Sequence, residues 1–136
     1  MNKDFRTKEH VLDEAGVKDI LCTALEGGIG YWACLLNDDP DWVAARDKLK
    51  AATGEKPCYD EVAYEVLSTG HSIFFEDAEN DEEKYELTWV GLMEGLRLFE
   101  EMRGKSLYYL IEDGDFDADD ADAIIQLAIF KEIIFG

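Results

Sequence analysis

Apolar residues recur at helical spacing in five stretches of the chain, and each stretch is bounded by residues that start or stop helices. Thr88 and Asp117 are good N-terminal caps, and Asp117 with Asp120 has the spacing of a capping box. Gly54 and Gly104 lie just beyond two of the stretches, where glycine takes a left-handed conformation without strain. The pattern predicts helices near residues 16–26, 40–52, 59–69, 89–102 and 118–130.

Two shorter stretches predict a β-hairpin. Residues 72–75 are rich in apolar and aromatic side chains, residues 85–87 alternate between polar and apolar, and an acidic loop joins them. Residues 29–36 and 106–111 are too short for periodicity to distinguish a strand from a helix. We therefore predict an α+β fold that is mostly helical, with a small antiparallel hairpin packed by about five helices in a single domain of residues 1–136.

Two of the predicted helices have signs of close packing. In the fourth, Gly91 and Gly95 lie one turn apart, and each costs about 1 kcal/mol of helix stability relative to alanine. Glycines at this spacing favour close contact with a second element. In the fifth, apolar side chains surround a narrow polar stripe of Asp119, Asp122 and Gln126, so this helix is expected to be buried.

A glycine-rich turn follows the first predicted helix. Gly27 and Gly28 are expected to end that helix in the left-handed conformation, and Gly30, Tyr31 and Trp32 come next. The favoured interpretation is that Tyr31 and Trp32 anchor the core. The alternative is a ligand site in which backbone N–H groups of the turn hold an anion and the two rings stack on a planar group.

Composition and charge restrict the class of protein. Of 136 residues, 47% are apolar, which suffices for the core of one domain. Residues 1–14 are mostly polar, contain no apolar leader and are expected to be loosely attached. No apolar run approaches the roughly 20 residues of a membrane helix, so a cytoplasmic protein without membrane contact is expected.

The net charge is the most unusual property of the sequence. Thirteen basic residues against 32 acidic ones give a charge of −19. Such a protein repels nucleic acid and anionic membranes and attracts basic surfaces. This balance argues against an ordinary nucleic-acid-binding domain, and it leaves open a protein that itself imitates a polyanion.

The three cysteines, Cys22, Cys34 and Cys58, suggest no special chemistry. Their odd number and wide spacing argue against a disulfide framework, and the sequence has no C-x-x-C pair. We interpret them as small buried thiols.

The sequence offers no clear metal site. Aspartates alternate over residues 113–119, as the acidic ligands of an EF-hand loop do. Counted from the first aspartate, however, the sixth position is Ala118 instead of glycine and the twelfth is Ile124 instead of glutamate. An aspartate-rich helix start explains the pattern better, and no metal or other cofactor is expected.

Catalytic patterns are also missing from the sequence. The two histidines, His10 and His71, are far apart, and no serine or cysteine has the context of a nucleophile. The glycine turn lacks the spacing of a nucleotide-binding loop. We therefore expect a protein that is not an enzyme.

Carboxylates concentrate in residues 76–86 and 112–122. Duplex DNA has one negative charge per about 1.7 Å of its axis, and carboxylates on ordered elements could approach that density. They could also be solvated loops that keep the protein soluble. The candidate residues for binding a basic partner surface are Asp77, Glu79, Asp81, Glu82, Glu83, Asp113, Asp115, Asp119 and Asp120.

Two motifs, TALEGGIGYW at residues 23–32 and DADDADAIIQLAIFKEIIFG at residues 117–136, carry a family resemblance. The chain resembles a family of small uncharacterised proteins of phages and other mobile elements, whose patterns are ALEGG-x-x-YW and DA-x-x-AD-x-I-x-Q-x-A-x-FGE. One departure is Lys131, where the family pattern has glycine. The matching residues are Ala24, Leu25, Glu26, Gly27, Gly28, Tyr31 and Trp32 in the first motif and Asp117, Ala118, Ala121, Asp122, Ile124, Gln126, Ala128, Phe130 and Glu132 in the second.

The resemblance implies an origin in a mobile element, and small accessory proteins of that kind often act against host defence. Together with the charge, it predicts an anti-defence (anti-CRISPR-like) inhibitor that works in the host cytoplasm. Its acidic surface would imitate nucleic acid and occupy a basic channel of a nucleic-acid-binding defence complex. The alternative function is a sponge for a nucleotide signal, bound by Gly27, Gly28, Gly30, Tyr31 and Trp32.

Overall fold

The computed structural model describes residues 5–6 and 11–136. Within them the chain has an α+β fold that is mostly helical, as predicted. A π-helical segment, Ala24–Gly28, follows the first helix directly. The helices and strands are β1 (Phe5–Arg6), β2 (Val11–Leu12), α1 (Glu14–Thr23), β3 (Ala33–Leu35), α2 (Pro40–Thr53), α3 (Tyr59–Ser68), β4 (Ile73–Asp77), β5 (Lys84–Leu87), α4 (Trp89–Arg103), α5 (Leu107–Glu112) and α6 (Ala118–Phe130).

Strands β3, β4 and β5 form an antiparallel sheet in that order. The predicted hairpin is confirmed, and its strands extend until Glu76 pairs with Lys84. Residues 29–36, which the sequence left open between strand and helix, contain strand β3. It is an edge strand, in which Cys34 lies opposite Glu76. A separate pair, β1 with β2, places Phe5 opposite Leu12.

Helix α6 is the central element of the core. It packs mainly on α4 and on the π-helical segment, with further contacts to β5 and α1. Ala121, Ile124 and Ile125 are completely buried, which confirms the predicted buried helix. The close approach to α4 is also confirmed: a Cβ atom added to Gly95 would lie 2.7 Å from the backbone nitrogen of Ala128.

The predicted capping signals act as expected. The Thr88 hydroxyl accepts a hydrogen bond from the backbone N–H of Gly91 at 3.0 Å. Asp117 and Asp120 form the reciprocal capping box, with donor–acceptor distances of 2.9 and 3.2 Å. Gly54 and Gly104 adopt the left-handed conformation, with φ of 76° and 68°.

Residues 106–111, left open by the sequence, fall mostly in helix α5. Leu107 and Leu110 face the core, which explains why a helical turn is preferred over a strand here. The backbone N–H of Leu107 donates to the Glu100 carboxylate at 2.7 Å, so α4 satisfies one of the first free N–H groups of α5.

The expectation of buried thiols is wrong for two of the three cysteines. Cys34 points outward from the edge strand β3, and Cys58 is exposed at the residue before α3. Cys22 is partly buried on α1, where desolvation and the neighbouring Glu26 raise the pKa of its thiol to about 11. This cysteine therefore stays a neutral thiol at physiological pH.

The loosely attached start predicted for residues 1–14 falls partly on residues 1–4 and 7–10, including His10, which lie outside the described residues. Two side chains of that segment, Phe5 and Leu12, are buried in the core. Among the described helices, none has the length and apolar character needed to cross a membrane.

Replacing Gly95 with alanine tests the packing of α4 against α6. We expect Gly95→Ala to lower the free energy of unfolding by about 1–2 kcal/mol, because overpacking against backbone outweighs the better helix propensity of alanine. Gly27→Ala is the matched control, because nothing lies within 4 Å of its added Cβ. Urea unfolding measures both, and equal stabilities would contradict the close approach.

Candidate functional site

The two motifs that carry the family resemblance meet at the carboxylate of Asp122. Its Oδ2 accepts a hydrogen bond from the hydroxyl of Tyr31 at 2.5 Å. Its Oδ1 accepts from the indole Nε1–H of Trp32 at 2.7 Å and from the amide of Gln126 at 2.9 Å. Helix α6 therefore holds the aromatic pair through one charged side chain.

The π-helical segment brings the aromatic pair to α6. It closes with a hydrogen bond of 3.2 Å from the backbone N–H of Ile29 to the carbonyl of Ala24. A Cβ atom on Gly28 would lie 2.9 Å from the carbonyl oxygen of Ala118, so only glycine allows this approach to the start of α6.

The expected left-handed cap at Gly27 and Gly28 is wrong. Neither residue has a positive φ, and Gly27 has open space around it. The glycine pair does not terminate α1 abruptly, because the helix widens into the π-helical turn that positions Tyr31 and Trp32. Gly28 serves close packing instead of chain reversal.

Trp32 anchors an aromatic cluster, as the favoured interpretation of the turn predicted. Its side chain is 2% exposed and stacks on Phe135, with ring centroids 4.8 Å apart and planes 11° from parallel. Phe130 and Tyr85 complete the cluster at 5.6 and 5.7 Å. The same prediction is wrong for Tyr31, whose ring is 53% exposed because its hydroxyl reaches Asp122 across the surface.

Gln126 holds the segment that follows α6, residues 132–136, which we call the strap. Its Oε1 accepts hydrogen bonds from the backbone N–H groups of Ile134 and Phe135, both at 2.8 Å. Its Nε2 donates to the carbonyl of Phe135 at 3.3 Å as well as to Asp122. The buried amide thus satisfies two consecutive backbone N–H groups and one carbonyl of the strap.

Lys131 turns the chain from α6 into the strap. It adopts the left-handed conformation with φ of 65°, and within residues 5–6 and 11–136 no other non-glycine residue has a positive φ. Its ammonium group donates to the carbonyl of Ala128 at 3.0 Å. The glycine that the family pattern has here would adopt this conformation without strain.

Two of the nine predicted partner-binding carboxylates have structural roles. Asp120 is a wrong prediction, because it is 3% exposed, caps α6 and pairs with the guanidinium of Arg103 at 2.5 Å. Asp77 is partly buried and accepts hydrogen bonds from the Tyr85 hydroxyl and two backbone N–H groups of the hairpin loop. These hydrogen bonds, from Tyr85 above all, lower the pKa of Asp77.

The other seven predicted carboxylates are exposed and form two clusters. No ion pair between described residues involves them. The hairpin cluster adjoins Trp32, whose carbonyl accepts the backbone N–H of Ala78 at 2.9 Å. Asp119 of the helix cluster acts electrostatically on Tyr31, whereas Asp113 and Asp115 line a cleft beside α4 and α5. The hairpin cluster is Glu79, Asp81, Glu82 and Glu83, and the helix cluster is Asp113, Asp115 and Asp119.

A cleft of about 870 Å³ opens beside α4 and α5. It brings Arg6 and Lys105 together with Asp113 and Asp115, so charges of both signs line it. Burial raises the pKa of Glu100, which also lines this cleft. Because acidic and basic side chains lie together around the cleft, it does not favour the binding of an anion. None of the five residues predicted as a ligand site lines it.

Other candidate chemistry is sparse in the part of the chain that the structure describes. No group of three or more metal-binding side chains comes together there. His71 is exposed, with its Nδ1 3.6 Å from the Asp41 carboxylate.

No protein-family model matches the chain, and comparisons with curated proteins and with solved structures give no significant match. The resemblance to a phage and mobile-element family therefore rests on the two motifs alone and remains a prediction.

The sequence reasoning missed the roles of Asp122, Gln126 and Phe135. A signal for the first two was present, since both lie in the narrow polar stripe of an otherwise apolar helix. Gln126 is buried and Asp122 is partly buried, and polar side chains in such positions require hydrogen-bond partners. Nothing in the sequence pattern indicated that Phe135 would cover Trp32.

Removing the Asp122 carboxylate tests the junction of the motifs. We expect Asp122→Ala to lower the free energy of unfolding by about 2–3 kcal/mol, because the buried indole N–H and amide lose their acceptor. Asp119→Ala, on the exposed side of the same helix, should change it by no more than about 0.5 kcal/mol. Thermal and urea unfolding measure both, and a similar loss in the two variants would argue against a special role for Asp122.

Alkaline titration tests the two tyrosine–carboxylate pairs. Partial desolvation and the carboxylate partner raise the pKa of Tyr31, beside Asp122, and of Tyr85, beside Asp77, to about 12. Because both values exceed the ordinary 10.0, the stability these tyrosines contribute is complete below about pH 10 and is lost as the pH rises through about 12.

Tyrosinate absorbance measures this directly. Tyr31→Phe and Tyr85→Phe should each remove one late ionisation, whereas Tyr59→Phe should leave both in place. An alkaline titration that is unchanged by the first two substitutions would contradict the assignment.

Proposed function

We propose that the protein is a non-enzymatic accessory protein of a phage or another mobile element, which inhibits a nucleic-acid-handling defence complex of the host. It would act by presenting carboxylates to a basic channel that normally receives nucleic acid. The observation that carries this proposal is the pair of exposed acidic clusters, hairpin and helix, whose seven carboxylates have no ion-pair partner among the described residues. The net charge of −19 acts in the same direction over longer distances.

The hairpin cluster is ordered by its own loop. Asp77 accepts from the backbone N–H groups of Glu79 and Asn80 at 2.9 and 3.2 Å, and the side chain of Asn80 accepts from Glu82 at 3.1 Å. A fixed array of charges loses less conformational entropy on binding than a flexible acidic tail. Ordered carboxylates therefore suit the imitation of a stiff polyanion.

The helix cluster is a second exposed group of carboxylates. Asp115 precedes the capping box of α6, and Asp119 lies in its first turn. Both are exposed, and Asp119 also raises the pKa of Tyr31, after the larger effects of desolvation and Asp122. Negative charge at this helix start is compatible with folding, because the helix dipole favours it.

The nucleotide-sponge alternative has weaker support. Trp32 is buried, its indole N–H is bonded to Asp122 and one ring face is stacked on Phe135, so it offers no platform for a base. Exposed Tyr31 is the remaining ring of the turn. A negative surround would also repel the phosphates of a nucleotide.

Neutralising the hairpin cluster tests whether binding to a basic partner depends on its carboxylates. The variant Glu79→Gln, Asp81→Asn, Glu82→Gln, Glu83→Gln takes the charge from −19 to −15. The protein is first used to capture its partner from a host with intact defence systems, and binding to the purified partner is then measured. We expect the variant to bind about tenfold more weakly or worse, and excess duplex DNA to displace the wild-type protein.

The matched control is Asp19→Asn, Asp38→Asn, Asp47→Asn, Glu55→Gln, which gives the same net charge with substitutions on other exposed surfaces. It should bind within about twofold of wild type, apart from the general effect of charge. Equal losses in both variants, or binding that duplex DNA does not compete with, would refute the imitation of nucleic acid.

A further inference from the structure

The cleft beside α4 and α5 lies where three parts of the chain meet. Its lining comes from the last turns of α4, from α5 with the residues on either side of it, and from strand β1. Its volume of about 870 Å³ is in the range of sites that enclose small organic molecules. The cleft is partly open to solvent, which leaves a path of entry for a ligand.

Apolar and aromatic side chains form part of the lining. Phe5 and Leu110 belong to the hydrophobic core, with 7% and 4% of their surfaces exposed, and both also line the cleft. Tyr109 lines it as well and is 42% exposed. A ligand group that packs against these side chains must itself be apolar, because its removal from water is then favourable in proportion to the area buried.

Some charged side chains of the lining are already engaged within the fold. Arg97 pairs with Glu101 at 2.7 Å and with Glu94 at 2.6 Å. The Glu100 carboxylate accepts the backbone N–H of Leu107 at 2.7 Å. These groups stabilise α4 and the start of α5, so they are less suited to hold a ligand.

The other four charged side chains of the lining are exposed, and no ion pair between described residues involves them. Two are basic, Arg6 and Lys105, and two are acidic, Asp113 and Asp115. The cations and the carboxylates thus share one cleft without pairing with each other. Such an arrangement is complementary to a ligand that carries charges of both signs.

The net charge of the protein makes this complementarity selective. A charge of −19 repels a purely anionic ligand and attracts a cationic one to many exposed carboxylates. A zwitterion has no net charge, so the long-range field of the protein neither attracts nor repels it. Local contacts with groups of both signs then decide where a zwitterion binds.

We propose that the cleft binds a small zwitterion with an apolar side chain, of the class of the free apolar α-amino acids. The carboxylate of the ligand contacts Arg6 and Lys105, and its ammonium group contacts Asp113 and Asp115. Its side chain packs against the apolar part of the lining. Binding of such a ligand goes beyond the proposed inhibition of a defence complex and does not depend on it.

Calorimetric titration of the full chain tests this site. The probes are L-leucine, L-methionine, L-phenylalanine and L-tryptophan. The tightest binder is then compared with its amine and its carboxylic acid, which keep the side chain and lose one charge each. We expect saturable binding of at least one amino acid and at least about fivefold weaker binding of both analogues. No saturable binding of any of the four, or an amine that binds as tightly as the amino acid, would overturn the proposal.

Substitution of the exposed charges locates the site. The acidic variant is Asp113→Asn with Asp115→Asn, and the basic variant is Arg6→Gln with Lys105→Gln. Each should weaken binding of the amino acid about tenfold or more, because each removes one of the two complementary charges. All four side chains are exposed, so neither variant is expected to unfold the protein.

Each variant has a matched control on surfaces outside the cleft. Asp38→Asn with Glu55→Gln changes the net charge as the acidic variant does, and Lys50→Gln with Lys56→Gln changes it as the basic variant does. Both controls should bind the amino acid within about twofold of wild type. Equal losses in a variant and its control would contradict binding in the cleft. The hairpin-cluster variant should also bind it as wild type does, so this proposal and the proposed function can fail independently.

Discussion

One carboxylate, that of Asp122, joins parts of the protein that are far apart in the sequence. It lies on α6, and its oxygens accept hydrogen bonds from Tyr31, Trp32 and Gln126. Asp122 is only partly buried, but two of its donors, the Trp32 indole and the Gln126 amide, are buried and use it as an acceptor. Trp32 then fixes the aromatic cluster, and Gln126 fixes the strap. The hairpin loop, the π-helical segment and residues 132–136 all take their positions relative to this group.

The acidic residues divide into those that build the fold and those that surround it. Asp77, Asp120 and Asp122 each accept several hydrogen bonds, which compensate their negative charge within the fold. The exposed clusters have no such compensation, so they repel one another and reduce the stability of the compact state. A basic partner surface would remove this repulsion, which supplies a physical reason for such a protein to bind one.

Local sequence patterns predicted the fold well, but they did not predict contacts between residues far apart in the sequence. Capping at Thr88 and Asp117 and the amphipathic spacing of five helices follow from interactions within a few residues, which a sequence displays directly. The close packing at Gly95 could also be predicted, because glycine destabilises a helix interior and is typical of positions where another element packs closely. The surface assignment of Asp120 failed because its salt bridge with Arg103 spans 17 residues. The position of the strap could not be predicted for the same reason, because neither periodicity nor composition indicates which side chain covers Trp32.

The hydrogen bond between Trp32 and Asp122 joins residues 90 positions apart. During synthesis, the π-helical segment leaves the ribosome long before α6 exists, and its indole has no acceptor until that helix is made. Contacts of such sequence separation are closed late and slow the folding reaction, because the entropy of a large loop is lost before they form. The ring of Trp32 would consequently be uncovered early in synthesis and accessible to molecular chaperones that bind aromatic segments.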